Sequence, residues 1–243
     1  MMKTLIFLDT ETTGTSEQDR LIQLAYRTSD GEEVNELFNP GLPIAIEAMA
    51  VHHITEKMVK GKPRFQESPV YDRLRERLER GDIVVAHNAS FDVAMLEKEG
   101  LKVPSYIDTL KVARYLDPEA KISSYSLQYL RYLLGIEVEA NAHDAWGDIL
   151  VLEKLFYRML KKMKEVSGKP SDVLIEEMVR ISCQPALIRR MNFGKYRGKL
   201  LSDLAERDPE YLRWLLAEKE KSPKGEEDWI YSLRKVLGLP YGS

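Results

Sequence analysis

The chain has few of the features that stabilise secreted or membrane-embedded proteins. One of its 243 residues is a cysteine, Cys183, which excludes an internal disulfide or a metal site of several cysteines and makes a reducing cytoplasm the expected compartment. Its apolar runs are a handful of residues long, whereas a membrane-spanning helix needs about 20, so we expect no membrane contact. The first run, residues 5–8, soon meets Asp9 and predicts a strand rather than a signal peptide.

Positive and negative charges nearly balance, but they are unevenly distributed along the chain. There are 36 Lys+Arg and 39 Asp+Glu, which gives a formal net charge of −3. Residues 1–165 carry a net charge of −5, and residues 166–243 carry +2. Residues 180–199 contain six basic side chains and no acidic one. This distribution indicates a body able to hold metal ions and a later segment suited to an anionic partner.

The hydrophobic pattern predicts a mixed α/β fold. Three strand-like segments within residues 4–38 are joined by short links, which favours an antiparallel meander. Residues 83–86 and 106–107 predict two further strands, with a helix between them. Apolar residues spaced four and three apart predict a long helix over residues 145–163. Strands followed by alternating helices and strands indicate a sheet with helices on its faces.

The first candidate site is the acidic end of the first strand. Asp9 and Glu11 end a strand that is apolar up to that point, and Thr12, Thr13 and Gly14 follow. Side chains two apart on a strand point to the same face, so the two carboxylates converge. Two ionised carboxylates side by side repel each other, and a divalent cation relieves that repulsion. The alternative is an ordinary acidic turn after a strand.

A second candidate segment follows the strand predicted at residues 83–86. It contains His87, Asn88 and Phe91, and it places Asp92 in the first turn of the next helix. Open α/β sheets bind ligands at such strand ends. The alternative is that Asp92 only complements the helix dipole at the surface.

The third candidate segment opens the long helix. Asp148 directly precedes Ile149 of the apolar stripe, so it borders the face packed on the sheet, where a carboxylate needs a partner or a metal ion. His143 lies five residues before Asp148, on the loop that enters the helix. Asp144 competes for the acidic role, but its position at the helix start makes it the better cap.

Together the three segments resemble the motifs of one family. Written as Asp-x-Glu-Thr-Thr-Gly, His-Asn-x-x-Phe-Asp and His-Asp-Ala-x-x-Asp, in this order and spacing, they are similar to those of the DEDDh family of 3′→5′ exonucleases. The similarity covers residues 3–165. It implies a ribonuclease H-like fold, with a mixed five-stranded sheet flanked by helices, and a relationship to the proofreading subunits of bacterial replicative polymerases.

The resemblance implies a role for each charged residue of the three segments. Asp9, Glu11, Asp92 and Asp148 would hold two Mg²⁺ or Mn²⁺ ions, and His143 would be the general base. Two such ions clamp the attacking and leaving oxygens of a phosphodiester and lower the pKa of the attacking water. A histidine titrating near neutrality can take the proton of that water.

The resemblance also implies contacts to the substrate. The residues concerned are Thr12, Thr13, His52, Asn88 and Phe91. Phe91 is a candidate core residue as well. The segment around His52 departs from the family's His-Gly-Ile-Thr pattern because His53 replaces the glycine, which leaves the roles of both histidines open. Asp144 stands where a sister subfamily has tyrosine, which indicates the histidine type.

The C-terminal region resembles a small accessory module that follows some exonuclease X-like nucleases. Its hallmark is residues 193–199, where glycines, aromatic residues and basic residues are interleaved, followed by residues 208–214. Such residues suit nucleic-acid backbones and base faces; the alternative is a solvated basic loop over a small core. We expect an exonuclease domain over residues 1–166, a linker and connecting helix over 167–185, and a mainly helical accessory module over 186–243.

These expectations combine into one function with two alternatives. We expect a metal-dependent 3′→5′ exonuclease that acts on single-stranded or 3′-ended nucleic acid, with DNA favoured, and releases nucleoside 5′-monophosphates. One alternative is an enzyme that trims RNA 3′ ends, which recognition of the 2′-hydroxyl would distinguish. The other is a proofreading subunit whose C-terminal part docks a polymerase or a repair protein.

Overall fold

A mixed five-stranded sheet forms the centre of the protein, for which the computed structural model describes residues 3–138 and 145–240. The strands are β1 (Leu5–Thr12), β2 (Leu21–Thr28), β3 (Glu33–Leu37), β4 (Ile83–Ala86) and β5 (Tyr106–Asp108). Their order is β3-β2-β1-β4-β5, with β2 antiparallel to β1 and β3, and with β4 parallel to β1 and β5. The sheet expected from the sequence is confirmed.

Strand β1 is central and longer than its parallel partner. Its pairing with β4 covers Leu5 to Phe7, whereas its pairing with β2 continues to Thr12 through an irregularity after Glu11. The strand therefore continues to Thr12, beyond the hydrophobic run at residues 5–8. Because β4 ends at Ala86, one edge of the last residues of β1 is left free of strand pairing. This edge leaves room for side chains from the helices that flank the sheet.

Helices cover both faces of the sheet and make up the C-terminal region. They are α1 (Ile46–His52), α2 (Glu56–Val59), α3 (Pro69–Glu79), α4 (Ala89–Lys98), α5 (Thr109–Leu116), α6 (Leu127–Leu133), α7 (Ala145–Ser167), α8 (Ser171–Ser182), α9 (Leu201–Arg207), α10 (Pro209–Glu220) and α11 (Glu227–Val236). Within residues 3–138 and 145–240, none of the helices is long and apolar enough to cross a membrane.

The alternation of β1 sends its side chains into two separate cores. Ile6 and Leu8 join a cluster with α3 and α4, which includes Leu74 and Leu96. Phe7 joins the opposite cluster, built mainly by α5, α6, α7 and α8. Both helix layers therefore reach the strand that carries Asp9 and Glu11, as the period of two requires.

Helix α7 presents the apolar stripe that the sequence predicts. Ile149, Leu152 and Phe156 are at most 1% exposed, and the Phe156 ring packs edge-on against Phe7 with centroids 5.5 Å apart. The helix has 23 residues and continues past the predicted end at residue 163. No glycine or proline occurs between residues 148 and 167, so no residue interrupts the helix before Gly168.

Helix α8 belongs to the same core although it lies in the segment that we expected to connect two domains. Leu174 and Met178 are at most 1% exposed and pack in the α7 cluster. Ser182 Oγ accepts a hydrogen bond of 2.7 Å from the backbone N–H of Asp108. The helix thereby covers the outer edge of β5, which would otherwise offer unpaired backbone groups. The division at residues 166 and 185 stays a prediction.

The helices α9, α10 and α11 form a second, smaller core and contact the body through charged groups. Leu212 and Leu233 are fully buried in this core, beside Trp229. Asp228 of α11 accepts hydrogen bonds of 2.8 Å from Arg114 of α5 and from the backbone N–H of Ala186. We call residues 186–240 the C-terminal module.

His87 ties the end of β4 to the loop before α6. Its Nδ1 lies 2.9 Å from Thr109 Oγ1, and its Nε2 lies 2.7 Å from the carbonyl oxygen of Tyr125. A carbonyl only accepts, so Nε2 carries the proton in the neutral ring. Burial lowers the pKa of His87 to about 4, although the hydrogen bond to Tyr125 opposes that shift.

We expect His87 to reduce the stability of the protein as the pH falls from about 6.5 to about 4. The unfolded chain binds a proton on this histidine below pH 6.5, whereas the folded protein binds it only near pH 4. The contribution of neutral His87 to the free energy of unfolding is therefore complete above pH 6.5 and is lost in acid. At about 1.4 kcal/mol per pKa unit the loss does not exceed roughly 3.5 kcal/mol.

Chemical denaturation of the wild type and of His87→Gln at pH 7 and pH 4.5 measures this contribution. The difference in free energy of unfolding between the two proteins should shrink at the lower pH. Taking the difference cancels the effect of pH on the carboxylates that both proteins share, because distant sites contribute additively to the free energy of unfolding. A difference that is the same at both pH values would contradict the assignment.

Candidate active site

The carboxylates of Asp9 and Glu11 lie at the end of β1 that extends beyond β4. Both side chains share the face of Phe7, toward the α7 cluster, since residues two apart on a strand point the same way. Both residues are half-buried. The predicted convergence of these two side chains is therefore built into the strand.

Asp92 reaches the same strand from the opposite side of the sheet. It lies in the first turn of α4 and is 4% exposed. One of its oxygens accepts hydrogen bonds of 3.0 Å and 2.7 Å from the backbone N–H and the hydroxyl of Thr10. Asn88, in the left-handed conformation with φ 68°, precedes the helix, and its N–H donates to Asp108. These contacts fix where α4 starts and hold Asp92 beside β1.

Asp148 completes the group from the first turn of α7. Its carboxylate accepts a hydrogen bond from Nε2 of Gln128, a residue of α6. The apolar stripe of α7 packs on the sheet, so the first turn of the helix lies near the end of β1. Two helices on opposite faces and one strand thus supply the four acids.

The ionisation of these acids shows that they lie within electrostatic reach of one another. Burial, followed by the charges of Asp92, Glu11 and Asp148, raises the pKa of Asp9 well above its usual value. Burial and then the charge of Asp148 raise the pKa of Glu11 to about 7. Burial also raises the pKa of Asp92 to about 7, although the hydrogen bonds from Thr10 oppose it.

The carboxylate cluster suits a hard divalent cation in its chemistry. The charges of Asp92, Glu11 and Asp148 raise the pKa of Asp9, and positive charge placed among these oxygen donors stabilises their ionised forms. Across the two described ranges, no three His, Cys, Asp or Glu side chains stand as a ready ligand set. Oxygens of Asp92 and Asp148 are turned to Thr10 and Gln128 instead. The cluster is therefore coupled through charge, while its ligand atoms are held by neighbouring polar groups.

Comparison with known proteins assigns the chain to a family. The family model described as exonuclease matches residues 6–156, and a second model, exodeoxyribonuclease X-like C-terminal, matches residues 191–220. The chain belongs to the exonuclease family. Members of this family depend on divalent metal ions, in agreement with the donor chemistry of the cluster.

Three similar proteins illustrate the relationship. Exodeoxyribonuclease 10 of Escherichia coli (strain K12) is 37% identical over 219 residues, which cover 87% of this chain and 90% of the relative. The DNA polymerase III subunit epsilon of Treponema pallidum (strain Nichols) is 35% identical over 171 residues, covering 66% of this chain and 78% of the relative. A solved structure of exonuclease X in complex with 5′ overhanging duplex DNA is 28% identical with a TM-score of 0.55, covering 74% of this chain and 99% of that one.

The exonuclease places Thr12 and Thr13 in the interior of the loop after β1. The Thr12 hydroxyl donates to the carbonyl oxygen of Gly14 at 2.6 Å, and the fully buried Thr13 donates to Asp19 at 2.6 Å. A Cβ on Gly14 would lie 2.8 Å from an Asp19 oxygen, so a larger residue there would displace the Asp19 side chain that Thr13 contacts. Both threonines therefore shape the loop beside Glu11 through internal hydrogen bonds.

His52 has the one buried side-chain nitrogen or oxygen without a hydrogen-bond partner in the described part of the chain. Its Nδ1 accepts a hydrogen bond of 2.9 Å from the N–H of Ile54, so the neutral ring carries its proton on Nε2. That Nε2 is the buried atom without a partner. Burial lowers the pKa of His52, which keeps the ring neutral. Its neighbour His53 is exposed and ends α1 in the left-handed conformation.

Of the remaining predicted site residues, two lie near Asp92, and two lie outside the described residues. Asn88 is exposed at the start of α4, four residues before Asp92. Phe91 is half-buried and lies outside the hydrophobic clusters of the described residues. The predicted general base, His143, and Asp144 lie outside the described residues.

Two residues that hold the acids were missed by reasoning from the sequence. Thr10 could have been found, because the period of two that directs Asp9 and Glu11 to one face directs Thr10 to the face of α4. Gln128 had no such signal, since nothing in a local pattern places α6 beside the first turn of α7. Each of these residues donates to one carboxylate of the cluster.

We expect Asp9→Asn to raise the melting temperature of the protein in EDTA at pH 8. Asp9 has a higher pKa in the folded protein than in the unfolded chain, so its ionised form destabilises the fold above pH 4, increasingly as the pH rises. Removing the charge should stabilise the protein by several degrees, since 1 kcal/mol is worth about 2–4 °C at this size. The gain should be smaller at pH 5.

Thermal melts with and without MnCl₂ measure this prediction. Manganese should raise the melting temperature of the wild type and raise that of Asp9→Asn less. Asp203→Asn, on the exposed face of α9, serves as the control and should follow the wild type throughout. A variant that melts no higher than the wild type in EDTA would contradict the repulsion within the cluster.

Proposed function

We propose that this exonuclease hydrolyses DNA from its 3′ end and releases nucleoside 5′-monophosphates in a metal-dependent reaction. The observation that carries the proposal is the cluster of four coupled carboxylates at the end of β1. It occurs in a chain that matches exodeoxyribonuclease 10 of Escherichia coli over nearly the full length of both proteins. The solved exonuclease X complex contains a 5′ overhanging duplex DNA, in which the recessed strand has a 3′ end.

The acidic residues have a common role in this proposal. Asp9, Glu11, Asp92 and Asp148 would hold two Mg²⁺ or Mn²⁺ ions. When bound, such ions balance the negative charge that develops on a phosphodiester and make the attacking water more acidic. Thr10 and Gln128 orient two of the carboxylates through the hydrogen bonds described above.

His143 is proposed to take the proton from the attacking water. It lies five residues before Asp148 along the chain. A neutral imidazole with an ordinary pKa accepts a proton near pH 7, and general-base catalysis contributes about 10²–10⁴-fold to a rate. In this proposal the four acids hold the metal ions, and His143 accepts the proton of the attacking water.

His52 is the best candidate for a direct contact to the terminal nucleotide. Its buried Nε2–H forms no hydrogen bond of good geometry within the described residues, although the backbone of Thr12 lies close enough to oppose the lowering of the pKa of the ring. An oxygen of a ligand could satisfy this donor better. Thr12 and Thr13 support the loop that borders the cluster. Asn88 and Phe91 are proposed to contact the strand next to Asp92.

A proofreading subunit is the second candidate function. It is favoured by the match to the DNA polymerase III subunit epsilon of Treponema pallidum, which covers 66% of this chain. In that case the C-terminal module would dock a polymerase. Co-elution of the purified chain with a replicative polymerase on gel filtration would support this candidate, and separate elution would contradict it.

We expect 5′-labelled DNA strands to be shortened from the 3′ end in Mg²⁺ or Mn²⁺, with matched RNA strands degraded more slowly. Asp148→Asn should abolish turnover, because it removes a ligand from the cluster. His143→Gln should reduce kcat by about 10²–10⁴-fold while the melting-temperature rise caused by Mn²⁺ persists.

The same assay with Asp203→Asn provides the matched control, and this variant should retain wild-type turnover. Rapid degradation by Asp148→Asn, or shortening from the 5′ end, would show that the proposed site or direction is wrong. A preference for RNA would contradict the choice of DNA and favour the RNA-trimming alternative.

A further inference from the structure

A groove of about 840 Å³ lies between the body and the C-terminal module. One wall comes from the body, from Asn88 and from the loop and helix at residues 120–129. The other wall comes from residues 187–198 of the module. The groove is thus formed only when the module is packed on the body.

The groove is positively charged although the chain as a whole is acidic. Four arginines line it, and no aspartate or glutamate of residues 3–138 or 145–240 does. These arginines are Arg114, Arg189, Arg190 and Arg197. A concave surface of one sign concentrates ligands of the opposite sign. The shape and charge of the groove therefore fit an anionic chain.

Three of the arginines bridge the two walls, and one of these, Arg189, donates at 3.4 Å to the carbonyl oxygen of Arg114 in the body. Arg114 forms an ion pair of 2.8 Å with Asp228. Arg190 donates to the carbonyl oxygen of Ala120 in the body at 2.9 Å and to Gly198 in the module at 2.8 Å.

Arg189 and Arg197, by contrast, form no ion pair with any acid of residues 3–138 or 145–240. Arg189 is half-buried and Arg197 is exposed. Lys195, in the same segment, is committed elsewhere, because it lies 3.5 Å from Asp208 and over the rings of Tyr196 and Tyr211. Arg189 and Arg197 thus line the groove without an acid within ion-pair distance among the described residues.

The groove begins near the carboxylate cluster on two sides. Asn88 borders the groove and lies four residues before Asp92, about 6 Å along a helix. Tyr129 also borders the groove and directly follows Gln128, which donates to Asp148. A strand whose 3′ end lies at the cluster can therefore continue into the groove.

An exposed aromatic ring favours unpaired bases as the occupant. Tyr129 is 38% exposed, and a hydrogen bond of 2.7 Å from Ser123 to its hydroxyl steadies it. A ring face of this kind stacks on bases of any sequence when they are not already paired. Guanidinium groups beside it suit the phosphates of the same strand.

We propose that this groove binds the single-stranded DNA that leads to the 3′ end, several nucleotides before the bond that is cut. The inference rests on the proposed function for the position of the 3′ end. Arg189 and Arg197 contact phosphates, and Tyr129 stacks on a base. The C-terminal module is then part of the substrate-binding surface, and it extends the site beyond the terminal nucleotides.

Equilibrium binding in EDTA, where no metal-dependent cleavage occurs, tests the proposal on the full chain. The probes are labelled DNA strands of 4 and 12 nucleotides, and fluorescence anisotropy is measured from 50 to 300 mM salt. For the 12-nucleotide strand, Arg189→Gln/Arg197→Gln should reduce the slope of log affinity against log salt by about 1.4, since each phosphate contact to a single strand contributes about 0.7. For the 4-nucleotide strand the slope should change little.

Arg207→Gln is the matched control, since it removes one exposed arginine from the same module outside the groove. It should leave the slope for the long strand unchanged. If the double variant does not fold, Arg197→Gln alone should reduce the slope by about 0.7.

An unaltered slope for the 12-nucleotide strand in folded Arg189→Gln/Arg197→Gln would overturn the proposal, and so would an equal reduction of the slope for the 4-nucleotide strand. The binding measurement is independent of cleavage. A reduced slope in a protein that releases no nucleotides would contradict the proposed function and leave the groove assignment standing. Nucleotide release together with an unaltered slope would contradict the groove assignment and leave the proposed function standing.

Discussion

Mutual repulsion among buried carboxylates is the constraint around which this protein is built. Burial raises the pKa of Asp9, and the charges of three other acids raise it further. Such an arrangement lowers the stability of the folded chain unless protons or cations neutralise it. A fold that keeps it must hold each acid by contacts that do not depend on the others.

The sheet and its helices supply those contacts. Strand β1 extends beyond its parallel neighbour, so its last residues have room for side chains from both helix layers. Thr10 uses its backbone and its hydroxyl to hold Asp92 on one side. Gln128 holds Asp148 on the other. The large cores on the two sheet faces fix α4 and α7, and through them the two acids.

Local sequence patterns predicted the features that depend on neighbouring residues, such as the direction of side chains on a strand. They did not predict contacts between segments that are distant along the chain. The period of two directed Asp9 and Glu11 to one face, and the apolar stripe of α7 placed Asp148 at its border. Gln128 went unnoticed because its role depends on α6 lying beside α7, which is a tertiary contact. The packing of α8 on β5 was hidden for the same reason, since glycine and proline at residues 168–170 are also typical of a linker.

In our proposal the C-terminal module extends the binding surface from the carboxylate cluster along a single strand of DNA. Its basic segment divides into residues that build the module and residues that face the groove, a distinction that composition could not make. Lys195 belongs to the first group, through its contacts with Asp208 and the tyrosine rings. Arg197 belongs to the second.

The most direct test of the central claim is the position of bound manganese in a crystal of the protein with a nucleoside 5′-monophosphate. The account predicts anomalous scattering peaks among Asp9, Glu11, Asp92 and Asp148, with the phosphate of the nucleotide beside them. Peaks that lie elsewhere, with these four carboxylates still held only by protein groups, would contradict it.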